Sequence, residues 1–192
     1  MCQFLSALVL RDGTILSRED VTDSHEILIK WYSQQGHDLR DDREFNSRFV
    51  RVEYAPKFAQ DAGDLNNYRL VVDEQTEPAW FAAHSEEVAR ALRRKVKRCI
   101  VSDSRDLLIG GPWILTGDAI IGECHSARVV SMHDSSKVDV MYGSSKVDAM
   151  YGSSKVVSMH DSSKIGSMCD SSKIGVMLDS SKVDTDKRMD KK

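Results

Sequence analysis

The sequence predicts an α+β N-terminal domain followed by a C-terminal parallel β-solenoid of nonapeptide repeats, with about two repeats per coil. A nine-residue pattern recurs from Ser126 onwards, and its fourth residue is always Val or Ile. Residues 1–116 instead mix helix-type and strand-type patterns. The predicted boundaries are 1–116 for the α+β domain, 117–183 for the solenoid and 184–192 for a charged C-terminal cap or tail.

Six complete repeats follow one another from Ser126, and a truncated one follows them: SARVVSMHD, SSKVDVMYG, SSKVDAMYG, SSKVVSMHD, SSKIGSMCD, SSKIGVMLD and SSKVDTDKR. A degenerate unit, GDAIIGECH, fits at Gly117–His125. Position 7 is Met in every complete repeat, and position 9 is Asp or Gly. Because Ser-Ser pairs and glycines are weak helix formers and nine is not a multiple of 3.6, the pattern does not indicate a helix.

Each repeat predicts one short strand and one turn. Positions 2, 4 and 6 alternate with positions 3 and 5, which is the period of a strand, and Asp/Gly-Ser-Ser is a turn sequence. Two repeats then form a coil of about 18 residues, whose strands stack in parallel at about 4.8 Å with the Val/Ile column inside. A coil of one or three repeats is the alternative.

A two-repeat coil divides the repeat surface between two faces. We expect Lys137, Lys155 and Lys173 on one face and Lys146, Lys164 and Lys182 on the other. A bend after position 6 would turn the methionines inward, which we predict. Outward methionines would instead form an apolar stripe with Tyr142 and Tyr151. The charged end VDTDKRMDKK is expected to cover the last coil.

Residues 1–116 predict helices packed on a small, largely antiparallel sheet. Asp12-Gly13 indicates a hairpin, and the segments SRFVRVEYAP and NNYRLVVDE read as strands. TDSHEILIKWYSQQG reads as a helix capped by Asp23 or Ser24 and ended by Gly36. HSEEVARALRRKVKRCIV is a second helix with an apolar stripe of Val88, Ala91, Leu92 and Val96 and a basic outer face.

Composition points to a cytoplasmic protein without a membrane segment. Hydrophobic residues make up 41% of the chain, charged residues 30%, and the net charge is −3. No apolar run approaches the roughly 20 residues of a membrane helix, and the N-terminus lacks a signal-peptide pattern. Neither half is basic enough to indicate nucleic acid. The cysteines, which include Cys99 and Cys169, are expected to be free thiols.

The segments MCQFLSALVLRDG, TDSHEIL, FVRVEY, YRLVVDE, PAWF and GGPWIL, followed by short repeats, resemble a group of uncharacterised phage and gut-bacterial proteins. Those proteins combine a compact N-terminal domain with SAxV-like or SSxV-like repeats. The resemblance covers the whole chain. It implies a phage or mobile-element origin, an accessory or anti-defence role and a location in the host cytoplasm.

Cys2 is the candidate catalytic residue. Removal of Met1 would make it an N-terminal nucleophile, whose own α-amine acts as the base in amide hydrolysis. The alternative is a buried structural cysteine at the start of a strand.

His25, with Asp23 and Glu26, is a candidate acid–base group at a helix N-terminus, although simple capping explains the carboxylates equally well. Cys124-His125, His133 and His160 match no zinc spacing, so no metal and no cofactor are expected. The basic cluster of the second helix could bind a phosphate group, or could be a solvated face. Its candidate ligand-binding residues are Arg93, Arg94, Lys97 and Arg98.

These observations favour a non-enzymatic binding protein that sequesters a host protein or a small signalling nucleotide and can form homo-oligomers through its solenoid. Two alternatives remain open: a Cys2-dependent amide hydrolase with a solenoid used for assembly, and a surface- or ice-binding solenoid. The predicted repeat-surface residues are Lys137, Lys146, Lys155, Lys164, Lys173, Tyr142 and Tyr151.

Overall fold

The computed structural model describes residues 5–18, 24–39, 48–74 and 76–187. The chain divides into two compact units, Met1–Lys97 and Arg98–Lys192. Within the described ranges, no helix is both long enough and apolar enough to cross a membrane.

The first unit contains a four-stranded antiparallel sheet, as predicted. Its strands are β1 (Leu5–Leu10), β2 (Ile15–Leu16), β3 (Phe49–Pro56) and β4 (Tyr68–Val72), in the order β2-β1-β3-β4. The hairpin between β1 and β2 turns at Gly13, whose φ of 87° favours glycine. The Asp12 carboxylate supports this turn by accepting a hydrogen bond of 2.9 Å from the Thr14 amide.

Two helices accompany this sheet: α1 (His25–Ser33) and α2 (Ser85–Cys99). Ser24 caps α1, because its hydroxyl accepts a hydrogen bond of 3.3 Å from the Ile27 amide. Asp23, the other predicted cap, lies outside the described residues. Helix α1 buries Leu28, and helix α2 buries Val88, Leu92 and Val96, which follow one another at helical spacing.

The second unit consists of two parallel sheets, which we call the even sheet and the odd sheet after the numbers of their strands. The even sheet is ordered β6-β8-β10-β12-β14 and the odd sheet β5-β7-β9-β11-β13-β15. The strands are β5 (Ile100–Val101), β6 (Arg105–Ile109), β7 (Trp113–Leu115), β8 (Ile120–His125), β9 (Arg128–Met132), β10 (Lys137–Tyr142), β11 (Lys146–Met150), β12 (Lys155–Met159), β13 (Lys164–Met168), β14 (Lys173–Met177) and β15 (Lys182–Asp186).

Consecutive repeats alternate between the two sheets, so each coil contains two repeats. Val138 pairs with Val156 in the even sheet, and Val147 pairs with Ile165 in the odd sheet, 18 residues apart in both cases. The predicted β-solenoid with about two repeats per coil is therefore confirmed, and it comprises about five coils.

The interior of the solenoid contains the Val and Ile side chains of position 4 and the methionines of position 7, as predicted. Val129, Val138, Val147, Val156 and Ile165 have no exposed surface. The methionines of position 7 point inward as well, with at most 1% exposure from Met132 to Met168. Met177 in the final coil is the exception at 41%. The prediction of inward methionines is thus confirmed from Met132 to Met168, and the alternative outward methionine stripe is not formed there.

The structure corrects the repeat frame at the start of the array. Ile121 pairs with Val138 and is fully buried, whereas Ile120, which the sequence alignment placed in the inward column, is 44% exposed. Ser126 therefore closes one repeat instead of opening the next, and its φ of 49° matches the other corner residues. Ser126 matches position 1 of the consensus, whereas position 9 is Asp or Gly in the complete repeats, so the sequence favoured the frame that the structure corrects.

The parallel sheets also begin upstream of Gly117, the predicted start of the solenoid. Strand β6 pairs in parallel with β8, and β7 pairs in parallel with β9, although neither β6 nor β7 carries the repeat consensus. At the other end β15 closes at Asp186, and residues 188–192 of the predicted cap lie outside the described residues.

Candidate interaction surface and the predicted site residues

The lysines of position 3 form two columns, as a two-repeat coil predicts. Lys137, Lys155 and Lys173 are in register on the even sheet. Lys146, Lys164 and Lys182 are in register on the odd sheet. Each column thus repeats one charged side chain per coil, at a spacing of about 4.8 Å.

The lysines of these two columns differ in whether an aspartate two residues on neutralises them. In the earlier coils an aspartate two residues on neutralises the lysine: Lys137 contacts Asp139 at 2.6 Å and Lys146 contacts Asp148 at 2.6 Å. The corresponding residues beside Lys155, Lys164 and Lys173 are Val157, Gly166 and Gly175, which carry no charge. The later coils therefore present three lysines without an aspartate at that position.

Position 8 forms a further pair of columns, in which the predicted repeat-surface tyrosines alternate with histidines. On the even side, the ring of Tyr142 lies 5.0 Å from His125 and 5.1 Å from His160. On the odd side, His133 stacks on Tyr151 at 5.3 Å. Tyr142 and Tyr151 thus belong to different sheets. The available signal was the alternation of His and Tyr at intervals of about 18 residues.

The final coil exposes apolar side chains at its even side. Val176 is 51% exposed and Leu178 is 45% exposed, next to the exposed Met177. Strands β14 and β15 are the edge strands of their sheets.

The residues of the predicted basic cluster of α2 have different surroundings in the structure. The Arg93 guanidinium donates hydrogen bonds to the Leu65 carbonyl at 2.6 Å and to the Asn66 side chain at 3.3 Å. Arg93 therefore fixes a neighbouring turn. Arg94, Lys97 and Arg98 are exposed. Two open concavities of about 370 and 380 Å³ occur in this unit, and none of the four predicted phosphate-binding residues borders either of them.

His25, the candidate acid–base group of the sequence analysis, is buried by the fold. It is 1% exposed, and its Nε2 lies 3.0 Å from the Val52 carbonyl oxygen. Its Nδ1 lies 3.3 Å from Asp73 Oδ2. Glu26, one of the predicted partners, instead accepts a hydrogen bond of 3.2 Å from the Ser24 hydroxyl.

Glu26 is held as a carboxylate at the start of α1. Its own backbone N–H is the main cause that lowers its pKa, and the Ser24 hydroxyl adds to the effect. Asp23, the other predicted partner of His25, lies outside the described residues. Asp73 and Glu53 take the place of the predicted partners. They were missed because they lie on distant segments that only the sheet brings to His25.

The cysteines of the second unit differ in their surroundings. Cys124 is buried in the solenoid core, and burial raises the pKa of its thiol to about 12. Cys169 and Cys99 are partly buried, and among the described residues neither they nor Cys124 forms a disulfide bond. Cys2, the candidate nucleophile, lies outside the described residues.

Comparison with protein-family models, with curated proteins and with solved structures gave no match. The resemblance to uncharacterised phage and gut-bacterial proteins stays a prediction. The functional argument therefore depends on the geometry of the chain itself.

Proposed function

We propose that this chain is a non-enzymatic binding protein whose even sheet is a rigid docking surface for a protein partner. The observation that supports this proposal is the register of the repeats: chemically identical side chains return on one face once per coil. Extended surfaces with regular side-chain columns are the usual binding surfaces of solenoid proteins.

The even sheet combines the features that interfaces use. It carries Lys155 and Lys173, which have no aspartate two residues on, the aromatic column centred on Tyr142, and the exposed apolar side chains of the final coil. Aromatic residues are enriched at interface centres, and an unbalanced positive column attracts acidic partners and orients them during encounter. The partner we propose is a protein with an acidic, extended segment that lies along the solenoid axis. The resemblance to phage and gut-bacterial proteins further implies that the chain is a phage-encoded accessory or anti-defence factor, which would sequester a host protein.

A small signalling nucleotide is a second candidate ligand, favoured by the exposure of Arg94, Lys97 and Arg98. Calorimetric titration with candidate nucleotides tests it, with Arg94→Glu as the charge-reversed variant. The expected result is binding that Arg94→Glu weakens. Absence of heat with every nucleotide would remove this candidate.

The docking proposal is tested by affinity capture from a gut-bacterial lysate with matched variants of the two sheets. The even-sheet variant carries Tyr142→Ser and Lys155→Glu, and the odd-sheet control carries Tyr151→Ser and Lys164→Glu. We expect a specific protein partner that wild type and the control retain and that the even-sheet variant loses. Retention by both variants, or the same proteins on all three baits and on blank resin, contradicts the proposal.

A further inference from the structure

The first unit holds a group of three side chains that has the composition of a metal site. We propose that His25, Glu53 and Asp73 bind a divalent transition-metal ion such as Zn²⁺. Within the described ranges, one donor atom from each of these residues lies within 4.8 Å of the other two. The sequence analysis expected no metal because it considered only the cysteines and histidines around the repeats.

The hydrogen bond of His25 fixes which ring nitrogen faces the carboxylates. The Val52 carbonyl lies 3.0 Å from Nε2 and can only accept, so Nε2 carries the proton. In the neutral ring Nδ1 then presents a lone pair towards Asp73 Oδ2, which lies 3.3 Å away and is also an acceptor. Two acceptors at this distance need a cation between them, either a proton or a metal ion.

The spacing of the donors suits a metal ion. In a tetrahedral zinc site with bonds of about 2.0–2.2 Å, neighbouring donors lie about 3.3 Å apart. The distance between His25 Nδ1 and Asp73 Oδ2 already has this value. The Glu53 carboxylate lies within 4.8 Å of both other donors, so a small movement of its side chain completes a three-donor site, and the fourth position is left for water. Metal-bound histidines commonly donate their other ring N–H to a backbone carbonyl, as His25 does to Val52.

Ser6 gives a second, independent indication. It is fully buried, and its hydroxyl has no hydrogen-bond partner among the described residues. Ser6 lies directly opposite Glu53 in the pairing of β1 with β3, so the two side chains share one face of the sheet. A buried hydroxyl without a partner normally requires an explanation. Here it is placed to donate to the Glu53 carboxylate or to a metal-bound water.

The surrounding charge and access are consistent with a bound cation. Arg51 is the nearest cationic side chain on β3, and it is already held by Glu74 through hydrogen bonds of 3.0 and 3.2 Å. The Asp73 side chain is 53% exposed, which gives an ion a path from solvent. One imidazole and two carboxylates suit Zn²⁺, Mn²⁺ or Fe²⁺ better than Cu⁺.

The test uses the full chain, freed of metal with a chelator, and titration with Zn²⁺ by calorimetry and with Co²⁺ by visible absorption. Asp73→Asn and Glu53→Gln are the site variants, because a substitution of the buried His25 could prevent folding. Glu123→Gln is the matched control, since Glu123 lies 2.7 Å from the exposed His125. Circular dichroism checks that each variant is folded.

We expect about one ion per chain with wild type and Glu123→Gln, and an affinity at least about tenfold weaker with Asp73→Asn or Glu53→Gln. Absence of Zn²⁺ binding to wild type, or unchanged affinity in both site variants, overturns the proposal. Imidazole ¹⁵N shifts that show a proton on both nitrogens of His25 in excess Zn²⁺ also overturn it, because the His25–Asp73 contact is then an ion pair only.

Discussion

The carboxylate of Asp161 accepts a hydrogen bond of 2.7 Å from the backbone N–H of Gly143, the residue at the same corner one coil earlier. The same bond joins Asp134 to Gly117 at 2.9 Å and Asp170 to Gly152 at 3.1 Å. The corner aspartates also adopt the left-handed conformation, with φ of 54–56°. Position 9 is therefore restricted to Asp and Gly for two reasons, the backbone conformation and the amide that the carboxylate satisfies.

Substitution of Asp161 separates these two reasons. Asp161→Gly loses the bond to Gly143 but suits the backbone, whereas Asp161→Ala loses the bond and also places a Cβ at positive φ. We expect Asp161→Ala to have the lower free energy of unfolding, by about 1 kcal/mol relative to Asp161→Gly. Urea denaturation followed by circular dichroism measures this difference. Equal stability of the two variants would show that the corner conformation is not a constraint.

The buried serines of position 2 should differ in their contribution to stability. Ser145 Oγ lies 2.6 Å from the Tyr142 carbonyl oxygen and 2.9 Å from that of Cys124, and it accepts a bond of 3.2 Å from the Ala127 amide. Ser154 is equally buried, but its hydroxyl has no partner among the described residues.

We therefore expect Ser145→Ala to lower the free energy of unfolding by about 1–3 kcal/mol and Ser154→Ala to leave it unchanged or raise it. Thermal unfolding of the two variants against wild type measures this. A loss of stability in Ser154→Ala as large as that in Ser145→Ala would mean that both hydroxyls are bonded in solution.

Thiol reactivity should follow burial within the solenoid. Because the pKa of Cys124 is raised to about 12, its reactive thiolate at pH 8 is at least about a thousandfold rarer than in an ordinary cysteine. Treatment of the native protein with iodoacetamide at pH 8, followed by peptide mass spectrometry, is expected to modify the partly buried Cys169 and to spare Cys124. Both should react after denaturation. Rapid native labelling of Cys124 would show that the core opens.

The repeats could be predicted well because the nine-residue period of the sequence corresponds to the structural repeat of the solenoid. A β-branched residue at every ninth position, two polar turn residues and an alternating strand pattern together specify the coil. The sequence therefore predicted that Val156 points inward and that Lys155 and Lys164 lie on different faces of the coil. The repeat frame at Ser126 could not be predicted, since Ser126 matches position 1 of the consensus and not the Asp or Gly of position 9.

Features that depend on long-range placement were beyond the sequence. Strands β6 and β7 join the parallel sheets without any repeat consensus, and their partners and register are set by pairing with β8 and β9. The same holds for His25, whose neighbours Glu53 and Asp73 lie on strand β3 and just after strand β4. Local capping chemistry at the start of α1 pointed instead to Asp23 and Glu26.

The inward Val/Ile column is the central feature of the fold, and adjacent valines in one repeat test it most directly. Val156 at position 4 has no exposed surface, whereas Val157 at position 5 is partly exposed. Valine and threonine have nearly the same shape, so each Val→Thr substitution exchanges one methyl group for a hydroxyl. We expect Val156→Thr to lower the free energy of unfolding by about 1–3 kcal/mol, because a buried hydroxyl loses its water, and Val157→Thr to change it by less than about 0.5 kcal/mol. Equal effects of the two substitutions, or a larger effect at Val157, would contradict the account.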